Sequence, residues 1–184
     1  EQQRVVPAPN VDGLTMDESL SLYADQEGNI NGRQVALLLS DSVSAADVLA
    51  ILQELKAKGV HTKFLAAKMG EIWADDGSLL PVDATFSGLP SLTFDAVIVP
   101  DGEKDALLVS ADARYFLLEA YKHLKVIGLS GDAGRFKAQF RLKSDESEEG
   151  LVEGSKVDGT FLANFISAMK AHRVWSRSQK ALTI

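Results

Sequence analysis

The chain has 184 residues, a formal net charge of −7 at pH 7 and no cysteine. This acidic balance argues against a nucleic-acid interface, and no apolar run approaches the roughly 20 residues that a membrane span needs. We therefore expect neither nucleic acid nor a membrane as a partner. The absence of cysteine excludes disulfides, thiolate catalysis and Cys-based zinc or iron–sulfur sites.

The first 31 residues differ in composition from the rest of the chain. They contain two prolines and a glycine between positions 7 and 13, carry mostly acidic charges and show weak periodicity. This composition predicts an extended linker arm over residues 1–31 and leaves 32–184 as the folded domain. Because the chain begins Glu1-Gln2-Gln3, without Met, we expect a fragment of a longer chain or a processed product.

From Gly32 onward, short apolar runs alternate with amphipathic segments. Continuous apolar runs predict buried parallel strands at 34–40, 60–68, 94–100 and 125–130. Helical spacing after a capping residue predicts helices at 44–59, 110–124 and 158–172, capped by Ser44, Ser110 and Asp158. Asp76-Gly77 between two apolar stretches predicts a hairpin at 71–82. The pattern is typical of an α/β fold with a doubly wound, mostly parallel sheet, helices on both faces and a small β-hairpin insertion.

In such sheets, functional sites form beyond the carboxyl ends of the strands. The loops that follow three of the predicted strands should therefore meet at one edge. They bring together Asp41 to Asp47, Asp101-Gly102 and Ser130-Gly131.

The stretch VIGLSGDAG, residues 126–134, predicts a sharp glycine-flanked turn with Ser130 at its apex. Hydrolases often hold a nucleophile in such a turn, but the usual final glycine of the motif is here Asp132. A serine nucleophile also needs a base within hydrogen-bond reach and a third group that orients the base. Two interpretations stay open: Ser130 is a nucleophile, or a small residue is needed at a tight strand–helix turn. We favour the second.

The candidate bases for Ser130 are weak. His61 opens a strand at the opposite edge of the sheet, and His123 and His172 lie in the last turns of helices, where a cation meets the negative helix end. Asp47 remains as a candidate base, although a role in capping the helix, three residues after Ser44, explains its presence equally well.

Three further features have structural explanations. The acidic run DESEE at 145–149 lacks the glycine of a calcium loop, so we expect a solvated loop. The basic and aromatic segment HRVWSR at 172–177 fits docking on another subunit or domain as well as it fits a helix C-terminus with stabilising cations. Trp73 and Trp175 are expected in the core or at an interface.

The strand–elbow–helix pattern with VIVPDG at 97–102 resembles the class I glutamine amidotransferase-like superfamily, in its intracellular-protease (PfpI) branch. Active members have an elbow cysteine, an acidic residue in the first loop or helix, and backbone amides that stabilise an oxyanion. The resemblance places the elbow at Ser130, the acidic residue at Asp47 and the amide-bearing stretch at Asp101-Gly102, and Gly131 is a further candidate of the vestigial site. Because the cysteine and the first glycine of the oxyanion stretch are replaced, by Ser130 and Asp101, it implies the flavodoxin-like fold and no catalytic residue.

A second resemblance covers nearly the whole chain, and five stretches carry it in order. They are VDGLTMDESLSLYA (11–24), VLAILQELKAKGV (48–60), GEIWADDGSLLPVDATFSGLPSLTFDAVIVPDG (70–102), EAYKHLKVIGLSGDA (119–133) and AHRVWSR (171–177). Together they are similar to the C-terminal domain of large-subunit catalases of the hydroperoxidase II type. The resemblance implies a homotetrameric parent enzyme that converts hydrogen peroxide to water and oxygen on a haem. The haem-binding core segments are absent from this chain.

We therefore expect a non-catalytic accessory domain with no metal or cofactor of its own. Its expected partners are the catalase core and the other subunits, and its expected roles are to stabilise the tetramer, to shape substrate access and to act as a chaperone-like surface for unfolded client proteins. The alternative is a vestigial serine hydrolase or amidotransferase-like enzyme that uses Ser130 with Asp47 and Gly102. We expect a cytoplasmic location, although similar fungal catalases are secreted.

Overall fold

The computed structural model describes residues 28–102, 104–131 and 134–182. The linker arm expected over residues 1–31 lies outside this range except for its last four residues. Within the described residues, no helix combines the length and apolar character that crossing a membrane requires.

Eight strands lie in two sheets. They are β1 (Gln34–Leu38), β2 (His61–Ala66), β3 (Glu71–Trp73), β4 (Leu79–Pro81), β5 (Ala84–Thr85), β6 (Ala96–Val99), β7 (Val126–Ser130) and β8 (Leu151–Gly154). Six of them form one sheet in the order β5-β2-β1-β6-β7-β8, and every neighbouring pair is parallel. The strands β3 and β4 form a separate antiparallel hairpin, as Asp76-Gly77 predicts.

Six helices accompany the strands. They are α1 (Ala45–Ala57), α2 (Lys104–Val109), α3 (Ala111–Lys122), α4 (Gly134–Lys137), α5 (Gly159–Lys170) and α6 (Ser178–Ala181). The three predicted caps are confirmed, because Ser44, Ser110 and Asp158 each accept a hydrogen bond from the backbone N–H three residues further on.

The side chains of the sheet alternate between two apolar clusters, one on each face. Val35 and Leu37 of β1 point into the cluster that contains the buried residues of α1 and α5. Ala36 and Leu38 point into the cluster that contains those of α3. Helices therefore cover both faces, which explains why the strands read as continuous apolar runs and not as alternating ones. The predicted α/β architecture is confirmed.

Candidate functional site

The loops at the carboxyl edge of the sheet meet as the topology predicts. The backbone N–H of Ser44 donates to the carbonyl of Asp101 at 2.9 Å, which joins the loop after β1 to the loop after β6. Gly102 is needed at this junction, because a Cβ on it would lie 2.8 Å from the Cα of Val43. We call Asp47, Gly102, Ser130 and Gly131 the elbow cluster.

Ser130 is not at the apex of the turn. It is the last residue of β7 and pairs in register with Gly154 of β8, so its backbone is that of a regular strand. The left-handed backbone conformation falls on Gly131, with a φ of 66°. The side chain of Ser130 is 0% exposed, and its Oγ has no hydrogen-bond partner among the described residues.

Asp47 is the carboxylate of the elbow cluster. Its side chain is half-buried and accepts a hydrogen bond from the N–H of Val157 at 3.3 Å. Burial raises the pKa of Asp47, and the nearby charge of Asp101 raises it further, against the lowering effect of the Val157 N–H. The Ser130 hydroxyl also lowers this pKa, so it lies close to the carboxylate, although the two groups do not meet the geometry of a hydrogen bond.

Both backbone amides that an oxyanion hole would use already have acceptors. The N–H of Gly102 donates to Oδ1 of Asp101 at 3.0 Å. The N–H of Gly131 donates to the carbonyl of Gly154 at 2.8 Å, as part of the β7–β8 pairing. Stabilising an oxyanion requires donors aimed at the developing charge, and these two point at the protein's own oxygens.

All three histidines lie away from the elbow cluster. His61 begins β2, and His123 follows α3, where its Nε2 lies 3.5 Å from Glu119 Oε2. His172 follows α5, and its Nε2 lies 3.5 Å from Oδ1 of Asp95, the residue before β6. These positions are at the amino edge of the sheet. A five-residue strand separates the two edges by about 15 Å, so no imidazole reaches Ser130.

A second polar cluster, which the sequence patterns missed, joins the C-terminal segment to the acidic run. The side chain of Arg177 is fully buried. Its Nε donates to Glu148 Oε1 at 2.8 Å, and its two terminal nitrogens donate to the carbonyls of Lys125 and Glu149 at 2.9 and 2.8 Å. Its guanidinium carbon lies 4.3 Å from the centre of the Tyr121 ring, a cation–π distance.

Lys180 completes this cluster. Its Nζ lies 3.0 Å from Glu146 Oε1 and 2.9 Å from Glu148 Oε2. We call Tyr121, Glu146, Glu148, Arg177 and Lys180 the C-terminal clamp. The expectation of a solvated acidic loop is wrong for Glu148, which the clamp leaves only 13% exposed.

Neither interpretation of HRVWSR describes what Arg177 does, because it docks on the acidic run of its own domain. Trp73 and Trp175 are both exposed, which excludes the core for both.

The described tyrosines do not fit the role of a haem ligand. An axial ligand must face an apolar cavity that accommodates the ring. Tyr121 is buried, but its hydroxyl donates to Glu148 at 2.6 Å and its ring stacks on Phe140 at a centroid distance of 4.6 Å. Burial and that hydrogen bond raise the pKa of Tyr121 far above its usual value, whereas a ligating phenol must lose its proton. Tyr115 is largely exposed on an open groove of about 740 Å³ along α3.

Comparison with known protein families shows to which family the chain belongs. Residues 31–179 match the pattern of the C-terminal domain found in long catalases. The chain belongs to this family. It is 37% identical over 152 residues to catalase HPII of Pseudomonas aeruginosa and 36% identical over 154 residues to catalase HPII of Pseudomonas putida. These alignments cover 82% and 83% of this chain but 21% and 20% of the relatives, so this long-catalase domain spans about one fifth of their length.

Solved structures show the same fold at low identity. A two-domain protein of Anabaena variabilis with DJ-1/ThiJ/PfpI-like and ferritin-like domains matches with a TM-score of 0.63 and 18% identity, over 76% of this chain and 47% of that protein. Oxidized DJ-1 of Toxoplasma gondii matches with a TM-score of 0.60 and 12% identity, over 83% and 95%. These likenesses confirm the expected fold, and the absence of catalytic residues in this long-catalase domain stays a prediction.

Proposed function

We propose that this chain is a non-catalytic accessory domain of a long catalase. A haem core in the remainder of that polypeptide converts hydrogen peroxide to water and oxygen. The observation that carries the proposal is the state of Ser130, whose hydroxyl is fully buried and makes no hydrogen bond to a proton acceptor among the described residues. Such a hydroxyl neither meets a substrate nor loses its proton, and both steps are required of a nucleophile.

The environment of Ser130 supports the same proposal. Asp47 is engaged by Val157, and the amides of Gly102 and Gly131 are engaged by protein acceptors. A catalytic site needs these groups directed at a substrate. In this domain they instead hold the loops at the carboxyl edge of the sheet together, which is a structural task.

The proposed contribution of the domain is to stabilise the catalase tetramer and to shape access to its core. Large apolar side chains that remain exposed support a role in contacts, because such groups mark interaction surfaces when they cluster. They are Leu49, Met69, Trp73, Leu79, Leu92, Val109, Tyr115, Trp175 and Leu182. A chaperone-like role towards unfolded clients uses the same groups and is part of the proposal. The cytoplasmic location stays a prediction.

The test compares the full-length catalase that contains this chain with a version that lacks residues 28–184. We expect both forms to decompose peroxide at similar rates per haem at 25 °C. We expect the shortened form to lose its tetramer and its activity at a lower temperature, because the accessory contacts are gone. Equal inactivation temperatures would contradict the proposal. The full-length Ser130→Ala variant is the control and should lower neither the activity per haem nor the inactivation temperature.

A vestigial serine hydrolase is the second candidate, and the closeness of Asp47 to Ser130 favours it. A fluorophosphonate probe that labels activated serines separates the two functions. The accessory function predicts no labelling and no peptidase or amidase activity. Labelling that disappears in Ser130→Ala would establish the hydrolase instead.

A further inference from the structure

The outer face of the β3–β4 hairpin is apolar and exposed. Trp73 and Leu79 are cross-strand partners, and Pro81 lies two residues beyond Leu79 on the same face. Ile72, on the opposite face, is buried in the core. Trp73 is 58% exposed and Leu79 is 43% exposed, whereas a solvent-facing hairpin surface normally carries polar side chains.

The backbone beneath Trp73 is held firmly in place. Its N–H donates to Oδ1 of Asp41 at 3.1 Å, and its carbonyl accepts from the N–H of Ser42 at 2.7 Å. These bonds tie the hairpin to the loop after β1. The indole ring is therefore presented on an ordered scaffold, and tryptophans of this kind dominate the energetics of many interfaces.

We propose that this hairpin face, made of Trp73, Leu79 and Pro81, is the surface through which the domain docks on the catalase core of its own polypeptide. The inference rests on the proposed function, which supplies the core. It goes further by naming the docking surface and the chemistry of the surface that receives it.

The small area of the hairpin face favours a partner on the same polypeptide. Its exposed apolar area is on the order of 300 Å², whereas a stable complex between free proteins buries about 800 Å² on each partner. A second free copy of this chain is therefore not held by this face alone. A partner on the same polypeptide is present at roughly millimolar effective concentration, so a smaller contact suffices. The relatives carry about four fifths of their length outside the matched region, which leaves room for such a partner.

The charges around the hairpin face define the receiving surface. Glu71 lies on the face itself, as the cross-strand partner of Pro81, and Asp75 and Asp76 are exposed in the hairpin turn. Because Pro81 has no backbone N–H, docking by strand addition is blocked there and side chains must make the contact. The matching surface on the core is an apolar recess with lysine or arginine at its edge.

Hydroxyl-radical footprinting with residue-level mass spectrometry tests the docking surface. The two tryptophans of the chain are matched probes, since Trp175 is 68% exposed. The footprints of the 184-residue chain and of the full-length catalase that contains it are compared. We expect the modification of Trp73 relative to Trp175 to fall at least about fivefold in the full-length enzyme, because docking covers the hairpin. An unchanged ratio overturns the proposal, as does protection of Trp73 in the 184-residue chain that grows with concentration, which would indicate a second copy.

A pair of variants separates this inference from the accessory function itself. The double substitution Trp73→Glu, Leu79→Glu should leave the urea midpoint of the 184-residue chain nearly unchanged, because both side chains are exposed. In the full-length enzyme it should lower the temperature of inactivation by several degrees, and the control Trp175→Glu should not. If removing the domain lowers that temperature and the double substitution does not, the docking surface is wrong and the accessory function stands. If removing the domain has no effect, the accessory function fails first.

Discussion

The elbow cluster and the C-terminal clamp bury polar groups in opposite ways. In the elbow cluster, burial raises the pKa of Asp47, and the neighbouring Asp101 raises it further. In the clamp, burial also raises the pKa of Glu148, but hydrogen bonds from Tyr121 and Lys180 and the nearby cations outweigh it, and the net pKa is lowered. One carboxylate is therefore ionised at a cost to stability, and the other contributes to stability only when it is ionised.

This difference shows that a recognisable sequence motif and a fully hydrogen-bonded polar cluster need not coincide. The elbow cluster has the residue types of a hydrolase site, yet Ser130 makes no hydrogen bond within the described part of the chain and the two amides are occupied. The clamp has no motif, yet Arg177 satisfies its donors on three acceptors. A buried polar network stabilises a fold only when its members are paired. We therefore expect the clamp, and not the elbow cluster, to contribute to the stability of the domain.

Removing Arg177 should produce the largest effect. Arg177→Ala leaves Glu148 half-buried without its nearest cation and leaves two backbone carbonyls without their donor. Breaking a buried ion pair from one side costs about 3–5 kcal/mol, and we expect the free energy of unfolding to fall by that amount. Urea denaturation of the chain at pH 7 measures it.

The matched control is an exposed ion pair. Lys58 Nζ lies 3.8 Å from Glu54 Oε1 on the surface of α1, where both side chains are about half exposed. Lys58→Ala should cost no more than about 0.5 kcal/mol. If Arg177→Ala costs as little as this control, the clamp is a surface contact and the contrast with the elbow cluster fails.

The second prediction concerns pH and compares two isosteric variants, Glu148→Gln and Asp47→Asn. A lowered pKa contributes stability that is present above the unfolded value and is lost as the pH falls through the folded one. Glu148→Gln should therefore cost about 2 kcal/mol at pH 7, and the deficit should shrink only as the pH falls below the ordinary glutamate value of about 4.3 towards the lower folded pKa, where the parent loses the same charge. Urea titrations from pH 7 down to about pH 3 follow this change.

Asp47→Asn should behave with the opposite sign. A raised pKa contributes stability that is present below the unfolded value and is lost as the pH rises through the folded one. At pH 7 the parent holds an ionised Asp47 beside Asp101, so the variant should equal or exceed it in stability, by no more than about 1 kcal/mol after solvent screening. The difference should vanish as the pH approaches 4. If the stability differences of the two variants from the parent change in the same direction as the pH falls, the two carboxylates do not contribute to stability in opposite ways.

Most of the fold is predictable from local sequence signals. Apolar runs predict β1, β2, β6 and β7 because buried strands have no polar face, and capping residues mark where α1, α3 and α5 begin. The elements that the sequence signals miss are short: β5 has two residues, α2 has six, and β8, α4 and α6 have four each. Segments of this length do not complete the periodic pattern on which recognition depends.

The candidate site is predictable only in its location. The topology rule brings Asp47, Gly102 and Ser130 to one edge of the sheet, but it does not predict which hydrogen bonds the groups at that edge form. The clamp was missed because Arg177 and Glu148 are 29 residues apart and share no periodic element. The run 145–149 is acidic and the segment 172–177 is basic. Only a comparison of the two segments would indicate that they contact each other.

Ser130→Ala should produce the smallest effect, and its sign is informative. Removing a buried hydroxyl that has no partner should raise the free energy of unfolding by about 0.5–1 kcal/mol, because the unfolded chain hydrates that group and the folded chain does not. Thermal and urea unfolding of the 184-residue chain measure the change.

Ser44→Ala is the matched control at the same edge of the sheet, since Ser44 Oγ accepts from the N–H of Asp47 at 3.3 Å and caps α1. That substitution should cost about 1 kcal/mol. Two serines that differ in pairing should thus respond with opposite signs to the same change. If both substitutions destabilise equally, Ser130 has a partner in solution, and the proton acceptor that the accessory function excludes is present after all.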